Sequence, residues 1–215
     1  VEFKAGVSAN GMAAYANAKE TLKDGGRTTS EEAVLATSFA SVFAEISSDE
    51  MMGLGIGISY APEVADLSKE TRHISSSKNN DAAGTKETAV AGIDTDGGVQ
   101  SVDAKINDLV SLYVTLPVGD TGAYLKAGYI QATMITEESL ATGSKYEDVD
   151  MTGTTIGGGY EGSLGDMAFW RAEGSMQMWE DISASGSEAG ADGDKNVINA
   201  ELGSVTGSLS VGMKF

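Results

Sequence analysis

The residues with the clearest potential for chemistry are His73 and Ser75, which are separated by one residue. A histidine base beside a serine nucleophile, oriented by an acid, can hydrolyse an ester. His73 is the only histidine of the chain, but the pair lies in a long polar stretch that also contains Lys69 and Lys78. An ordinary loop histidine is therefore the favoured interpretation, and we predict no catalytic residues and no enzyme.

A second set of candidate ligands is acidic. Asp192, Asp194 and Asn196 alternate along the chain, and residues 94–97 form a similar Asp-Thr-Asp-Gly run. These runs resemble halves of calcium loops, but the first lacks the sixth-position glycine and the distant glutamate of an EF-hand. Solvated acidic loops are the favoured interpretation, and weak Ca²⁺ or Mg²⁺ binding is the alternative.

Residues 157–162 contain the pattern G-x-G-x-x-G. This run leads into a turn and another extended segment, so no helix N-terminus follows that could hold a pyrophosphate. We therefore predict no dinucleotide site and no cofactor.

The composition restricts the class of protein further. The chain has 215 residues, no cysteine and a formal net charge of −18. The lack of cysteine excludes a disulfide framework and a thiolate metal site, and the charge disfavours nucleic acid because it repels phosphates. Mean hydropathy is −0.11, and no stretch reaches the roughly 18 consecutive apolar residues that a spanning helix needs.

Alternation with a period of two is the dominant pattern. Met52, Leu54, Ile56, Ile58 and Tyr60 form one apolar face, and glycine or serine occupies every position between them. A glycine face opposite a continuous apolar face is typical of a narrow barrel wall, whose apolar side meets lipid. Similar alternation recurs around residues 1–15, 110–118, 125–135, 156–161, 168–178 and 205–215. Around residues 32–46 both faces are semi-apolar, and the phase of the strand is not defined.

The connections between these segments alternate between short and long. Short turns lie near residues 47–50, 119–122 and 162–166, whereas long polar connections lie near residues 20–31, 62–103, 137–148 and 181–196. This layout predicts an all-β, closed, antiparallel up-and-down transmembrane β-barrel of about eight strands, forming a single domain over residues 1–215 with four extracellular loops. A soluble β-sandwich or lipocalin-like barrel is the alternative fold. We interpret the alternating first residues as a mature N-terminus from which a signal peptide has been removed.

Three charged residues have the parity of the inner face, namely Lys126, Arg171 and Glu173. Each follows a short turn by four to eight residues, so all three should lie near mid-membrane, where unpaired charges are costly. We predict that they form a network with Glu161 inside the barrel and that Glu173 bridges the two cations. Further partners are Glu2, Lys4 and Lys214. Polar filling of the lumen is favoured over a gated ion path.

The last strand carries the one specific resemblance. Leu209, Val211, Met213 and Phe215 lie on one face and end in an aromatic residue. This strand looks like the terminal signature of bacterial outer-membrane barrels, and the layout resembles the small barrels of the opacity, surface-antigen, OmpX-like and OmpW-like group. The resemblance implies placement in the outer membrane, contact with its lipid and lipopolysaccharide, and recognition of the last strand by the barrel assembly machinery. His73 and Ser75 are also similar to the His-x-Ser pair of lipid A deacylases.

Two classes of function follow from this layout. The first is a structural or surface-interaction barrel with a filled lumen and acidic loops, and the second is a narrow porin-like channel for small solutes or ions. A lipid-modifying enzyme ranks third. Homo-oligomers and divalent cations at the acidic loops are further partners that the sequence allows.

Overall fold

The computed structural model describes residues 1–21, 28–73, 99–139, 147–189 and 195–215. These residues form nine β-strands and one short 3-10 turn at Asp49–Met51. The strands are β1 (Glu2–Thr21), β2 (Thr28–Ser48), β3 (Leu54–His73), β4 (Val99–Pro117), β5 (Ala123–Ser139), β6 (Val149–Leu164), β7 (Ala168–Trp179), β8 (Ile182–Ala189) and β9 (Lys195–Lys214).

The strands form one closed antiparallel wall. Strands β1 to β7 pair in order, β7 pairs with β9, and β9 pairs with β1. Because β7 and β8 both pair with β9, they are two pieces of a single wall strand, interrupted at Glu180 and Asp181. The wall therefore has eight strands, and the predicted all-β up-and-down barrel is confirmed.

The stagger of the wall fixes its width. Ala5 of β1 pairs with a residue of β2, which pairs with a residue of β3, and so on around the wall. This path returns to β1 at Tyr15, ten residues after its start. A closed sheet with this stagger has tilted strands, and eight strands leave an interior just wide enough for side chains.

Short connections join the strands at one end of the barrel, which we call the turn end; the opposite end is the loop end. At the turn end, Gly53, Gly119, Gly122 and Gly165 have φ angles of 75°, 60°, 83° and 80°. Glycine adopts these left-handed conformations without a steric penalty, which explains why the turns can be so tight.

The strands extend beyond the loop boundaries predicted from the sequence. In the predicted loop 62–103, β3 continues to His73 and β4 already begins at Val99. In the predicted loop 181–196, Ile182–Ala189 forms β8 and β9 begins at Lys195. The apolar alternation ends before the strands end, because backbone pairing can extend a strand into polar sequence beyond the apolar zone. Residues 22–27, 74–98, 140–146 and 190–194, one stretch in each of the four predicted loops, lie outside the described residues.

The two faces of the wall differ as the alternation predicts. Large apolar side chains on the outer face are exposed, among them Ile56, Ile58, Leu112, Val114 and Trp170. Among the described residues, no helix is long and apolar enough to cross a membrane. The outer face therefore presents a broad apolar surface that contacts no other part of the structure.

A bulge in β4 reverses the alternation along that strand. The pairing with β5 shifts between Asn107 and Val110, and Asp108 adopts a φ of 55°. As a result, Ile106 and Ser111 are both buried although they differ in parity. A period of two read from the sequence therefore assigns the wrong face on one side of this bulge.

The wall is hydrogen-bonded only in part between β2 and β3. Their pairing runs from the turn end to Val42 opposite Tyr60 and then stops, although both strands continue towards the loop end. Pro62 lies two residues after Tyr60 and has no N–H to donate. Beyond this point the Thr37 hydroxyl donates a hydrogen bond of 3.0 Å to the carbonyl of Val64. We call this stretch the β2–β3 seam.

Candidate functional site

A buried ion pair between β7 and β2 crosses the lumen at the turn end. The guanidinium of Arg171 donates two hydrogen bonds to the carboxylate of Glu45, of 2.9 Å and 2.7 Å. The side chains are only 5% and 2% exposed. A two-pronged contact of this kind fixes both side chains in one orientation as well as neutralising them.

A second carboxylate collects the remaining cations at this end. Arg171 Nε donates to Glu161 at 2.8 Å, and Lys214 Nζ donates to Glu161 at 2.7 Å. Lys4 Nζ donates to both oxygens of Glu161 at 3.1 Å and lies 3.9 Å from Glu45. These contacts connect β1, β2, β6, β7 and β9 through one group of charges, which we call the turn-end cluster.

Aromatic rings surround the Arg171 guanidinium of the turn-end cluster. The Arg171 guanidinium lies 5.2 Å from the ring centre of Phe169 and 5.3 Å from those of Phe43 and Tyr124. Phe169 is completely buried. Cations over ring faces are attracted by the ring quadrupole, most strongly where water is excluded.

Inward glycines make room for these large side chains. A Cβ atom on Gly57 would overlap the ring of Tyr113, and one on Gly212 would overlap the ring of Phe169. The glycine face of the predicted wall is therefore the complement of the bulky residues that neighbouring strands place in the lumen.

The other two predicted lumen charges form a separate pair. Lys126 Nζ lies 2.7 Å from Glu173 Oε1, and the Tyr124 hydroxyl donates to Glu173 Oε2 at 2.9 Å. Lys126 also lies 4.2 Å from the ring centre of Tyr113. The expectation that Glu173 bridges Lys126 and Arg171 is wrong, because Arg171 is occupied by Glu45 and Glu161.

Glu45 is the partner that the sequence did not identify. It lies in the stretch where both faces of the predicted strand are semi-apolar, so its inward direction could not be assigned. A usable signal was the excess of predicted inward cations, since Lys4, Lys126, Arg171 and Lys214 outnumber Glu2, Glu161 and Glu173.

The loop end of the lumen is filled differently, by apolar side chains. A cluster of buried residues lies there, comprising Met12, Ala14, Ala61, Val64, Ala65, Ile106, Ala132, Met151 and Ile182. Partly buried residues that pack against it include Phe39, Leu109, Trp179 and Leu202. We call this the loop-end cluster. The sequence did not predict it, because apolar residues had been assigned to the outer face.

Two small cavities of about 80 Å³ and about 60 Å³ lie inside the barrel. Residues common to both linings are Asn10, Ser41, Ser59, Lys126, Glu173 and Ser208. The smaller one also contacts Arg171 of the turn-end cluster, and the larger one contacts Met12 and Ile106 of the loop-end cluster. The interior thus has charges at the turn end, a polar middle with free volume, and an apolar loop end.

The remaining predicted residues are placed as follows. Leu209, Val211, Met213 and Phe215 point outwards and are exposed. Ser75, Asp192 and Asp194 lie outside the described residues, as do the side chains of His73 and Asn196. Within the described part of the chain, no three His, Cys, Asp or Glu residues are arranged to hold a metal ion.

Comparison with solved structures identifies the fold. The outer membrane protein OprG from Pseudomonas aeruginosa is 12% identical, with a TM-score of 0.53 over 100% of this chain and 95% of that chain. The outer membrane protease OmpT from Escherichia coli is also 12% identical, with a TM-score of 0.51 over 100% of this chain and 97% of that chain.

No family model and no curated protein matches the chain. At this low identity the structural likeness defines the fold alone. The chain has the fold of the bacterial outer-membrane β-barrels, as the resemblance in its sequence predicts.

Proposed function

We propose that this chain is a structural and surface-interaction barrel of the bacterial outer membrane, with a lumen closed to solutes. The carrying observation is the bidentate contact between Arg171 and Glu45, which spans the inside of the barrel and is almost fully buried. The apolar outer face and the outer-membrane fold support the location, because such a face is stable only against lipid.

Energetics favour a lumen that stays closed. Separating Arg171 from Glu45 would leave Arg171 with Glu161 alone and Glu45 with the more distant Lys4. Loss of one partner from a buried ion pair costs about 3–5 kcal/mol. Glu161 couples the same guanidinium to Lys4 and Lys214, so movement of Arg171 disturbs several ion pairs at once. A gate built this way opens rarely.

The surface role is supported by acidic groups on the outer wall near the loop end. Glu63, Asp108, Asp150, Glu180 and Glu201 are exposed there. Divalent cations bind oxygen ligands and can join such carboxylates to lipid phosphates. We propose the lipopolysaccharide leaflet, bridged by divalent cations, as the partner of this surface, and the barrel assembly machinery as the partner of β9. The proposal assigns no catalytic step to the chain.

The test is to produce the chain behind a bacterial signal peptide and to follow both location and permeability. The proposal predicts recovery in the outer-membrane fraction, and proteoliposomes that swell no faster in a small sugar than protein-free vesicles. Folded barrel in the same vesicles is verified by its altered gel mobility before heating, with a large porin as the positive control. Recovery in a soluble fraction, or rapid swelling, would contradict the proposal.

A narrow channel is the second candidate. It is favoured by the two internal cavities, whose linings share polar residues and reach Arg171 at one side. Solute flow would require the turn-end cluster to separate, so this candidate predicts brief current steps that become frequent when Glu45 is replaced by alanine.

A further inference from the structure

The apolar outer face of the barrel is taller on one side than on the other. Ile46 of β2 and Leu116 of β4 each lie within two residues of the turn-end terminus of their strand. On β4, eight residues separate Leu116 from the exposed charge of Asp108, whereas on β2 fourteen residues separate Ile46 from the exposed charge of Glu32. At about 3.3 Å per residue and a strand tilt of about 40°, the apolar face is roughly 20 Å tall on β4 and roughly 35 Å tall on β2.

The lipid layer fits the short side of this wall and not the tall side. The apolar band of outer-membrane barrels is about 25 Å tall, and the charge of Asp108 keeps the lipid boundary near this level on β4. The tall side on β2 extends roughly 10 Å beyond that boundary, towards the loop end. The top of the tall side therefore carries apolar side chains above the hydrocarbon layer.

These apolar residues form one patch across β2, β1 and β9. Tyr15 of β1 pairs with Val34 of β2 and with Gly203 of β9, and Ala13 pairs with Ala36 two residues nearer the turn end. Val34 is 81% exposed and Tyr15 is 46% exposed. We call these five residues the outer patch. Exposed apolar surface of this kind outside lipid marks an interaction site.

Glycines keep the wall flat at the outer patch and beneath it. Gly11 of β1 pairs with Gly207 of β9 two residues nearer the turn end than Ala13. The space around the missing side chains of Gly11, Gly203 and Gly207 is open. Small residues of this kind let the backbone of a partner approach closely.

Acidic groups border the outer patch on its loop-end side. Asn17 of β1 pairs with Glu32 of β2 and with Glu201 of β9, two residues beyond Tyr15, and both carboxylates are exposed. Lys19 supplies one positive charge two residues further along β1, so this border keeps a net negative charge. The surface thus combines an apolar floor with an acidic border.

The acidic border decides between the occupants of this surface. A second copy of the chain would bring two sets of Glu32 and Glu201 together, and like charges across an interface repel each other. Lipid phosphates are repelled for the same reason unless divalent cations intervene. A partner with basic residues beside an apolar face is attracted by both parts of the surface.

We propose that the outer patch is a docking site for a basic amphipathic segment of another protein. Its apolar side chains lie on Tyr15 and Val34, and its lysines or arginines pair with Glu32 and Glu201. Such a segment lies at the lipid surface, with its apolar side towards the hydrocarbon layer and its charges in water. The inference goes beyond the proposed function and shares only Glu201 with it. The tests use no lipopolysaccharide and no divalent cations, so the two proposals can fail separately.

Polarity-sensitive dyes check that the outer patch stands above the lipid. The chain has no cysteine, so Val34→Cys and Val42→Cys each provide a single labelling site on the exposed outer face of β2. In phosphatidylcholine nanodiscs the dye should report water at Val34→Cys and hydrocarbon at Val42→Cys. A hydrocarbon signal at both sites would show that lipid covers the patch and would overturn the proposal.

The probe for binding is a synthetic amphipathic helix of leucine and lysine with a fluorescent end group. We expect saturable binding to nanodiscs that contain the barrel, above the level of empty nanodiscs, and no such binding of the matched leucine–glutamate helix. The double variant Glu32→Gln, Glu201→Gln should weaken binding about three- to tenfold, because each exposed ion pair contributes little. Added salt should weaken binding as well. Equal binding to parent and empty nanodiscs would overturn the proposal.

A double variant on the short side of the wall is the matched control. Glu63→Gln, Asp108→Asn removes the same amount of charge from the exposed outer face and should bind the leucine–lysine helix like the parent. Equal weakening by the two double variants would show attraction by net charge alone and would overturn the site.

The apolar contact is checked at Val34. Because this side chain is 81% exposed, Val34→Ser should leave the fold intact and still weaken binding of the helix. Val118→Ser, at an exposed position beside the turn end, is its control and should bind like the parent. Equal binding by the two variants would overturn the apolar contact.

Cross-linking in phosphatidylcholine vesicles distinguishes a second copy of the chain from another partner. Ala13→Cys places a single thiol within the outer patch, and under oxidation it should give no more linked pairs than Leu112→Cys on the short side. A high yield of linked pairs from Ala13→Cys alone would place a second copy on the patch and would overturn the proposal.

Discussion

Arg171 and Glu45 lie 126 residues apart in the chain, yet their side chains meet inside the barrel through two hydrogen bonds of 2.7 Å and 2.9 Å. They come from β7 and β2, which do not pair with each other in the wall. The contact therefore crosses the lumen and depends on closure of the complete barrel.

Replacing Glu45 should destabilise the barrel strongly. Glu45→Gln keeps the shape of the side chain but leaves Arg171 with Glu161 as its remaining carboxylate, and we expect a loss of about 3–5 kcal/mol in the free energy of unfolding. The measurement is reversible urea unfolding in lipid vesicles. Glu50→Gln, at an exposed position in the turn beside it, should unfold like the parent, and similar effects of the two substitutions would refute the buried pair.

Glu173 and Lys126 should behave as a separate unit. Glu173→Ala leaves Lys126 without its carboxylate. Because the side chains of Glu173 and Lys126 are 11% and 14% exposed, we expect the free energy of unfolding to fall by about 3 kcal/mol, the low end of the range for a buried pair. The double variant Lys126→Met, Glu173→Leu should recover most of that loss. Combining Glu173→Ala with Glu45→Gln should give nearly additive losses, whereas strong coupling would mean that the two groups of charges form one network.

Glycine on the inner face should be intolerant of even one added carbon. Gly57→Ala places a Cβ against the ring of Tyr113, and we expect a loss of about 1–3 kcal/mol from overpacking. Gly207 lies on the outer face of β9 with open space around its missing side chain, so Gly207→Ala should not lower stability. The check is the urea midpoint of both variants, and a tolerated Gly57→Ala would contradict the packing of Tyr113.

Phe215 has a packing role and a proposed role in assembly, and the two can be separated. Its backbone exchanges hydrogen bonds of 2.8 Å and 3.2 Å with Phe3, and the two rings lie 6.1 Å apart. Loss of either ring should lower the free energy of unfolding by a similar small amount, about 0.5–1.5 kcal/mol. If Phe215 also signals to the assembly machinery, Phe215→Ala should reduce the outer-membrane level in cells much more than Phe3→Ala. Equal levels of the two variants would leave only the packing role.

Alternation predicted the fold and most of the inward charges because each wall strand has one face towards lipid and one towards the lumen. It assigned Lys126, Arg171 and Glu173 to the interior, where the structure places them. It could not assign Glu45, because β2 has small or apolar residues on both faces, and the partner of Arg171 was therefore missed.

The loop-end cluster was hidden for a related reason. The bulge at Asp108 changes the phase of β4, so Ile106 points inwards although its parity matches outward residues such as Leu112. The alternation also did not predict the strand ends, because β3 and β8 continue through polar sequence where backbone pairing alone defines the strand. Contacts across the lumen depend on stagger, which only the complete register reveals.

The central claim, a lumen closed by the turn-end cluster, is tested most directly by electrical recording in planar lipid bilayers. The parent protein should show no stable current steps after insertion, and Glu173→Ala should also stay silent because Arg171, Glu45 and Glu161 remain in place. Insertion is verified by fluorescence of labelled protein in the same bilayer. Long-lived conductance of the parent protein at modest voltage would contradict the account and would favour the narrow channel.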